Sequence, residues 1–426
     1  MTIPLFFFIH AVLIRNFQAI NTVKKNELKI TAKTDMLYGI MRNTLVILMF
    51  ALMAGCAAAQ KETAVTVFYP DPPVPPRLQF LTSLTGEKDL QPEKSAFEAF
   101  VTGSKESERR LDKPYGIAVR GGKIYVCDTN QTVMVFDLEK KTFDELQGAQ
   151  GLGKLAQPLN ISIDAEGSKF VTDPMRGQVV VFDKNDFYVT ALGFPGNWKP
   201  VDAVPYDDKL YVADIKNGEI VVFDKKSGDV LDRFGQKGDP AGRLILPTNI
   251  AFDKEGYLYV SDAGRFQLLK LDRDGHLRAT FGELGTNPSN FARPKGLALD
   301  REGRLYAVDA AFDNVQIFSK SRALLLFFGK AGRGPGDFFL PAKIFIDYDD
   351  LKYFQPYADP NFELEYLVFV TNQFGNRMVN VYGFGKERGK KYPSDEELLE
   401  QLKERLKKLK PQEPSEKAPG TDAEKK

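Results

Sequence analysis

Histidine is scarce in this chain, and that narrows the metal chemistry it can do. Its two histidines are His10, near the start, and His276, in the turn Asp274-Gly-His. A zinc site needs several nitrogen or sulfur ligands together. The only thiols on offer are Cys56 and Cys127, and no CxxCH segment is present for haem attachment. Carboxylates are more numerous and more regular. Asp128, Asp173, Asp214, Asp262 and Asp309 each follow a short apolar run. A few of them could hold Ca²⁺, which takes oxygen ligands. A residue that recurs at one place in a repeated unit more often answers a need of that unit. Here the need is an acceptor for the free backbone N–H groups of a turn. The run Phe328-Gly-Lys-Ala-Gly-Arg-Gly-Pro-Gly336 has the glycines of a phosphate loop but no Gly-Lys-Ser/Thr and no helix pattern after it. It aligns with connectors at 235–242 and 282–290. The formal net charge of +1 gives no electrostatic footprint for nucleic acid.

These aspartates are positioned by a repeat. Pro114, Pro158, Pro200, Pro247, Pro294 and Pro341 recur at spacings of 44, 42, 47, 47 and 47 residues. Each proline opens a first apolar run, such as Asn249-Ile-Ala-Phe or Gly296-Leu-Ala-Leu. A turn of the form Asp-x-Glu-Gly often follows, then a second run such as Tyr257-Leu-Tyr-Val-Ser261 with its aspartate. A third run ends in Phe-Asp or a variant, as at Phe223-Asp224, and a fourth closes in Phe-Gly, as at Phe281-Gly282. Four short strands per period of 40–50 residues predict propeller blades. The repeated register over 77–385 resembles the NHL-repeat family of β-propellers. No Trp-Asp or paired-Gly signature points to the related repeats, and Trp198 is the only tryptophan.

The expected fold is all-β: a six-bladed propeller with a C-terminal amphipathic helix. The sixth copy carries an insertion, Tyr348–Tyr366, has Thr371-Asn372 in place of the aspartate, and lacks a fourth strand after Tyr382. One strand-like run, Arg77–Leu84, stands ahead of the first copy. It is expected to supply the missing strand and close the ring. Between it and the first copy, residues 94–102 read as a short helix. Residues 386–410 contain a capping box, Ser394 with Glu397, and leucines at helical spacing. The tail 411–426 has a disordered composition.

The N-terminal end reads as targeting sequence. Arg42, the apolar run Thr44–Gly55 and then Cys56 resemble a bacterial lipoprotein signal. That resemblance implies cleavage before Cys56 and lipidation of its thiol. Ala57 resembles the residue that follows the cysteine in lipoproteins sent to the outer membrane of Gram-negative bacteria. Residues 41–55 are then the signal peptide. Residues 1–40 are expected to be an upstream extension, with the start at Met41 or Met36. Residues 56–76 form a tether ending in Tyr69-Pro-Asp-Pro-Pro-Val-Pro-Pro76, an extended polyproline stalk or strap. Cys127, in Lys123-Ile-Tyr-Val-Cys127, reads as a small buried apolar residue.

Function is sought where the copies differ. Two residues after each proline stand Gly116, Asn160, Asp202, Asn249, Gly296 and Lys343. This position is expected at the channel mouth, where Asn160, Asp202, Asn249 and Lys343 are candidate ligands for a small polar molecule or a cation. Arg176, Arg265 and Arg377 share a register after the second strands. The family resemblance implies packing for them, while interfaces enrich Arg and Trp. They and Trp198 are therefore candidate partner contacts. The resulting expectation is a monomeric, lipid-anchored, non-enzymatic scaffold binding a protein partner in the cell envelope. The alternative is a metal-dependent lyase or hydrolase acting on a carbohydrate or small metabolite at the channel.

Overall fold

In each repeat, short runs rich in Val, Ile, Leu, Tyr and Phe alternate with turns that need Gly, Asp or Asn. Such sequences favour brief antiparallel strands over helices. The computed structural model describes residues 66–90, 109–236 and 240–409. It is an all-β, six-bladed propeller. Blades 1 to 5 are four-stranded antiparallel sheets whose strands follow one another in chain order. Their innermost strands are Pro114–Arg120, Asn160–Ile163, Pro200–Tyr206, Pro247–Phe252 and Pro294–Leu299. The inner strand of blade 6 is Pro341–Asp347. Each proline at or before the start of these strands sits where a missing N–H is tolerated.

Blade 6 closes the ring as expected. Leu78–Leu84 pairs antiparallel with Val379–Glu387, with Leu78 opposite Phe384 and Leu84 opposite Val379. The stalk contributes more than a tether. Phe68–Tyr69 adds a fifth strand outside it, and Tyr69 Oη donates to the Gly336 carbonyl at 3.3 Å. The insertion is shorter than its sequence suggested. Leu351–Phe354 is one helical turn, and Phe362–Tyr366 continues the second strand, pairing with Phe384–Glu387. Phe354 is buried and Asp350 Oδ2 accepts from the Gly122 amide of blade 1, so the helical turn covers the seam between blades 6 and 1.

The core is divided among six seams. One hydrophobic cluster lies between each pair of neighbouring blades, for example Val201, Tyr211 and Ile220 of blade 3 against Ile250, Leu258 and Val260 of blade 4. The C-terminal helix Asp395–Leu409 begins with the reciprocal capping box. Ser394 N donates to Glu397 Oε2 and Glu397 N to Ser394 Oγ. Its first turn docks on blade 5, where Arg304 Nε meets Asp395 Oδ2 at 2.7 Å. The residues 1–65, including Cys56, the segment 94–102 and the tail 411–426 lie outside the described residues.

Candidate functional site

The channel ring is built by a backbone irregularity that the sequence does not announce. In blades 1, 3, 4, 5 and 6 the pairing of inner and second strands shifts register just after the proline, as between Pro200 and Asp202 or Pro341 and Ile344. A bulge re-aims a side chain. Asn160, Asp202, Asn249 and Lys343 all converge, and all are buried. Lys343 Nζ lies 2.5 Å from Asp202 Oδ2. Blades 6 and 3 are opposite one another, so this ion pair spans the channel. Asp202 Oδ2 also accepts from Ile250 N at 3.0 Å, and its Oδ1 from Ala203 N at 3.1 Å. Asn249 is best satisfied with its oxygen toward Lys343 Nζ and Asn160 Nδ2, each at 3.2 Å, and its amide donating to the Lys295 carbonyl at 3.2 Å. The opposite orientation gives only a 3.3 Å contact to Asp202. Asn160 Nδ2 also donates to Val201 O at 2.7 Å. The four candidates therefore form one network whose main partners are each other.

Gly116 and Gly296 complete the ring because nothing larger fits. A Cβ on Gly116 would lie 2.5 Å from Asn160 Cα, and one on Gly296 2.7 Å from Lys343 Cα. Neighbouring inner strands approach too closely there for a side chain.

One residue nearer the mouth is a pair that the sequence reading passed over, Tyr115 and Lys295. Lys295 Nζ sits 4.9 Å from the Tyr115 ring centroid. Burial foremost, then repulsion from Arg293 and Lys113, brings the Lys295 ammonium down to about 7. Burial also holds the Tyr115 hydroxyl protonated, pushed further up by Asp202. The signal was present one residue after the proline, where Tyr115, Leu159, Val201, Thr248, Lys295 and Ala342 differ as much as the next position does.

The face that carries the connectors between blades is organised by the repeated aspartates, all fully buried. Asp262 accepts from Ile245 N and Leu246 N of the incoming connector, at 2.7 and 2.9 Å, and from Gly264 N and Arg265 N of its own turn. Asp128, Asp173, Asp214 and Asp309 repeat this. In blade 6, Asn372 Oδ1 takes the Phe339 amide. These oxygens face N–H donors, a poor setting for Ca²⁺. Cys127 is buried, and burial raises its thiol well above the usual range.

The arginines brace connectors. Arg176 donates to Leu152 O and Lys154 O, and Arg265 to Ala241 O and Arg243 O. Arg377 lies over the Phe80 ring and reaches Ser83 Oγ. Trp198 is 3% exposed between blades 2 and 3, with its indole N–H on the Gly177 carbonyl at 2.6 Å. The surface contact expected of Trp198 is thus corrected to an interior one, because its ring fills a blade seam. The connector face exposes several apolar side chains, among them Leu152, Met175, Ile245, Leu246, Phe339 and Phe374. The Phe339 and Phe374 rings meet at 5.9 Å, and Lys113 Nζ lies 5.7 Å from the Phe374 centroid. Exposed Lys199, Lys216, Arg243 and Arg293 stand among them.

His276 is exposed on the opposite face, in a turn with Asp272 and Asp274. Asp272 there accepts from Asp274 N, His276 N and Arg278 Nη2, and against the opposing effect of burial these bonds and the adjacent imidazole hold its carboxyl below the usual carboxylate range.

No protein-family model matches the chain. Among solved structures it is similar to a protein of unknown function from Bacteroides thetaiotaomicron, at 14% identity and a TM-score of 0.50, over 71% of this chain and 75% of that one. It is also similar to a gluconolactonase from Xanthomonas campestris, at 17% identity and a TM-score of 0.48, over 72% and 98% of the two chains. A third is an auxiliary nutrient binding protein from B. thetaiotaomicron, at 14% identity and a TM-score of 0.47, over 65% and 70%. At these identities the likeness concerns the fold.

Proposed function

We propose that this propeller is a non-enzymatic binding scaffold of the NHL-repeat kind, held on a bacterial envelope membrane by lipid at Cys56, and that its connector face receives a protein partner. The observation that carries this reading is the set of exposed apolar side chains on that face, with Leu152 78% and Met175 76% exposed, set among lysines and arginines. Soluble domains seldom leave several large apolar side chains exposed on one face without a partner. The surrounding charge favours a partner that is acidic around an apolar centre.

The metal-dependent lyase or hydrolase reading finds less support. Among the described residues, Asp202 is the one carboxylate of the ring, and Lys343 and two backbone amides already hold its oxygens.

Capture from detergent-solubilised membranes tests the proposal. Wild-type bait is expected to recover a discrete partner. The triple variant Leu152→Asp, Met175→Asp, Phe374→Asp is expected to lose about tenfold or more of it, the scale of hot-spot loss, with its melting temperature unchanged. Repeated recovery of nothing by wild type, or equal recovery by the variant, would overturn the reading.

A further inference from the structure

Blades 5 and 1 are separated in the ring by blade 6, yet Lys295 of blade 5 lies against the Tyr115 ring of blade 1. That contact has to be made across the channel. Lys295 is 6% exposed, and among the described residues no carboxylate or other hydrogen-bond acceptor meets its Nζ. The other channel lysine, Lys343, has Asp202 as its counter-ion. Two ammonium groups thus share one carboxylate, and that carboxylate belongs to Lys343. Arg293 and Lys113 act on Lys295 with the same sign of charge. Buried cations are normally paired, so Lys295, with Arg293 and Lys113 acting on it, leaves the mouth with an excess of positive charge.

We propose that the channel mouth is a site for a small divalent oxyanion, a carboxylate or phosphate species, with Lys295 as its buried contact, the Tyr115 hydroxyl as a donor, and Arg293 and Lys113 as flanking cations. The site stands whether or not the connector face binds a protein. An ammonium with donors around it and no acceptor fits an anion and repels a metal ion, which reverses the sign of the ligand that the ring position alone suggested.

The pH dependence follows. Near pH 7 Lys295 is divided between its charged and neutral forms. The groups facing it are Tyr115, Arg293, Lys113 and, one layer deeper, the Lys343–Asp202 pair. An anion binds the charged form. Affinity therefore rises as pH falls through about 7, and binding takes up a proton.

The experiment is calorimetric titration of the full detergent-solubilised chain with sulfate and, separately, with oxalate. Both keep their charge across the range, sulfate standing in for phosphate and oxalate for a dicarboxylate. Wild type is expected to bind at least one of them, about thirtyfold tighter near pH 6 than near pH 8.5 because only the charged lysine is competent. Lys295→Met is expected to lose binding more than about tenfold and its pH dependence with it, as a desolvated charged contact is removed. Arg293→Gln, on the exposed rim, is expected to weaken binding about threefold, and it keeps the test available if the buried substitution fails to fold. Absence of binding by both anions, a pH-independent affinity, or wild-type affinity in Lys295→Met would each overturn the proposal.

Discussion

Residue chemistry in this molecule is decided by who faces whom across a channel. Lys343 and Asp202 lie 141 positions apart in sequence and form a buried ion pair, 8% and 1% exposed. Removing one partner of such a pair leaves the other charge buried and alone, at a cost of about 3–5 kcal/mol. Lys343→Met is therefore expected to destabilise the propeller by about that much in denaturant unfolding. Adding Asp202→Asn should restore most of the loss, since neither charge then remains. If the double variant were as unstable as the sum of the singles, the pair would not be coupled. Asp202 and Lys343 were picked out in sequence by their variation between copies. Their pairing was not readable there, because it depends on blades 3 and 6 being opposite. Lys295 was missed for the same reason: a lysine one residue after a proline looks like a surface residue until the ring places it against Tyr115.

Elements in a propeller are short, and each sheet depends on its neighbours for burial. The strand Leu78–Leu84 shows this. It belongs to blade 6 and buries Leu78, Phe80, Leu81 and Leu84. Leu78 and Phe80 join the seam with blade 5, while Leu81 and Leu84 join the seam with blade 1. Deletion of residues 74–84 is thus expected to lower the melting temperature of the whole propeller, by well over about 5 °C, since four buried large side chains at roughly 1.5–3 kcal/mol each are lost. Unchanged melting would contradict closure by this strand. The strand was legible from its alternation and from the gap after Tyr382. The added Phe68–Tyr69 strand was not: the prolines that follow it spoke for an extended stalk or strap, and neither reading supplies the strand pairing. The bulges after the inner-strand prolines were likewise invisible, since a register shift is a property of two paired strands and leaves no motif in either.

At the scale of the whole molecule, a ring of six blades has two faces, and the chain treats them differently. The connector face collects connectors, capped turns, exposed apolar side chains and basic residues. The opposite face carries the helical turn at Leu351–Phe354, the docked start of the C-terminal helix and the His276 turn. Under the proposed lipid anchoring at Cys56, Cys56→Ser is expected to move the protein from the membrane to the soluble fraction on cell fractionation. Metabolic labelling with a fatty acid should then disappear, because stable anchoring depends on the acyl chains. Retention of the variant in membranes would remove Cys56 as the anchor.

Taken alone, the sequence determined the repeat number, the strand order within a blade, the structural role of the turn aspartates and the need for a closing strand. All of these follow from local periodicity and turn chemistry, which act over a few residues and recur six times. Tertiary structure alone decided which face is apolar, that Trp198 is interior, that the polar ring neutralises itself, and that Lys295 has no counter-ion among the described residues. Those properties arise only when the ring closes, for closure brings residues from non-adjacent blades within about 5 Å of one another in a low-dielectric space, where pairing or its lack dominates the energetics.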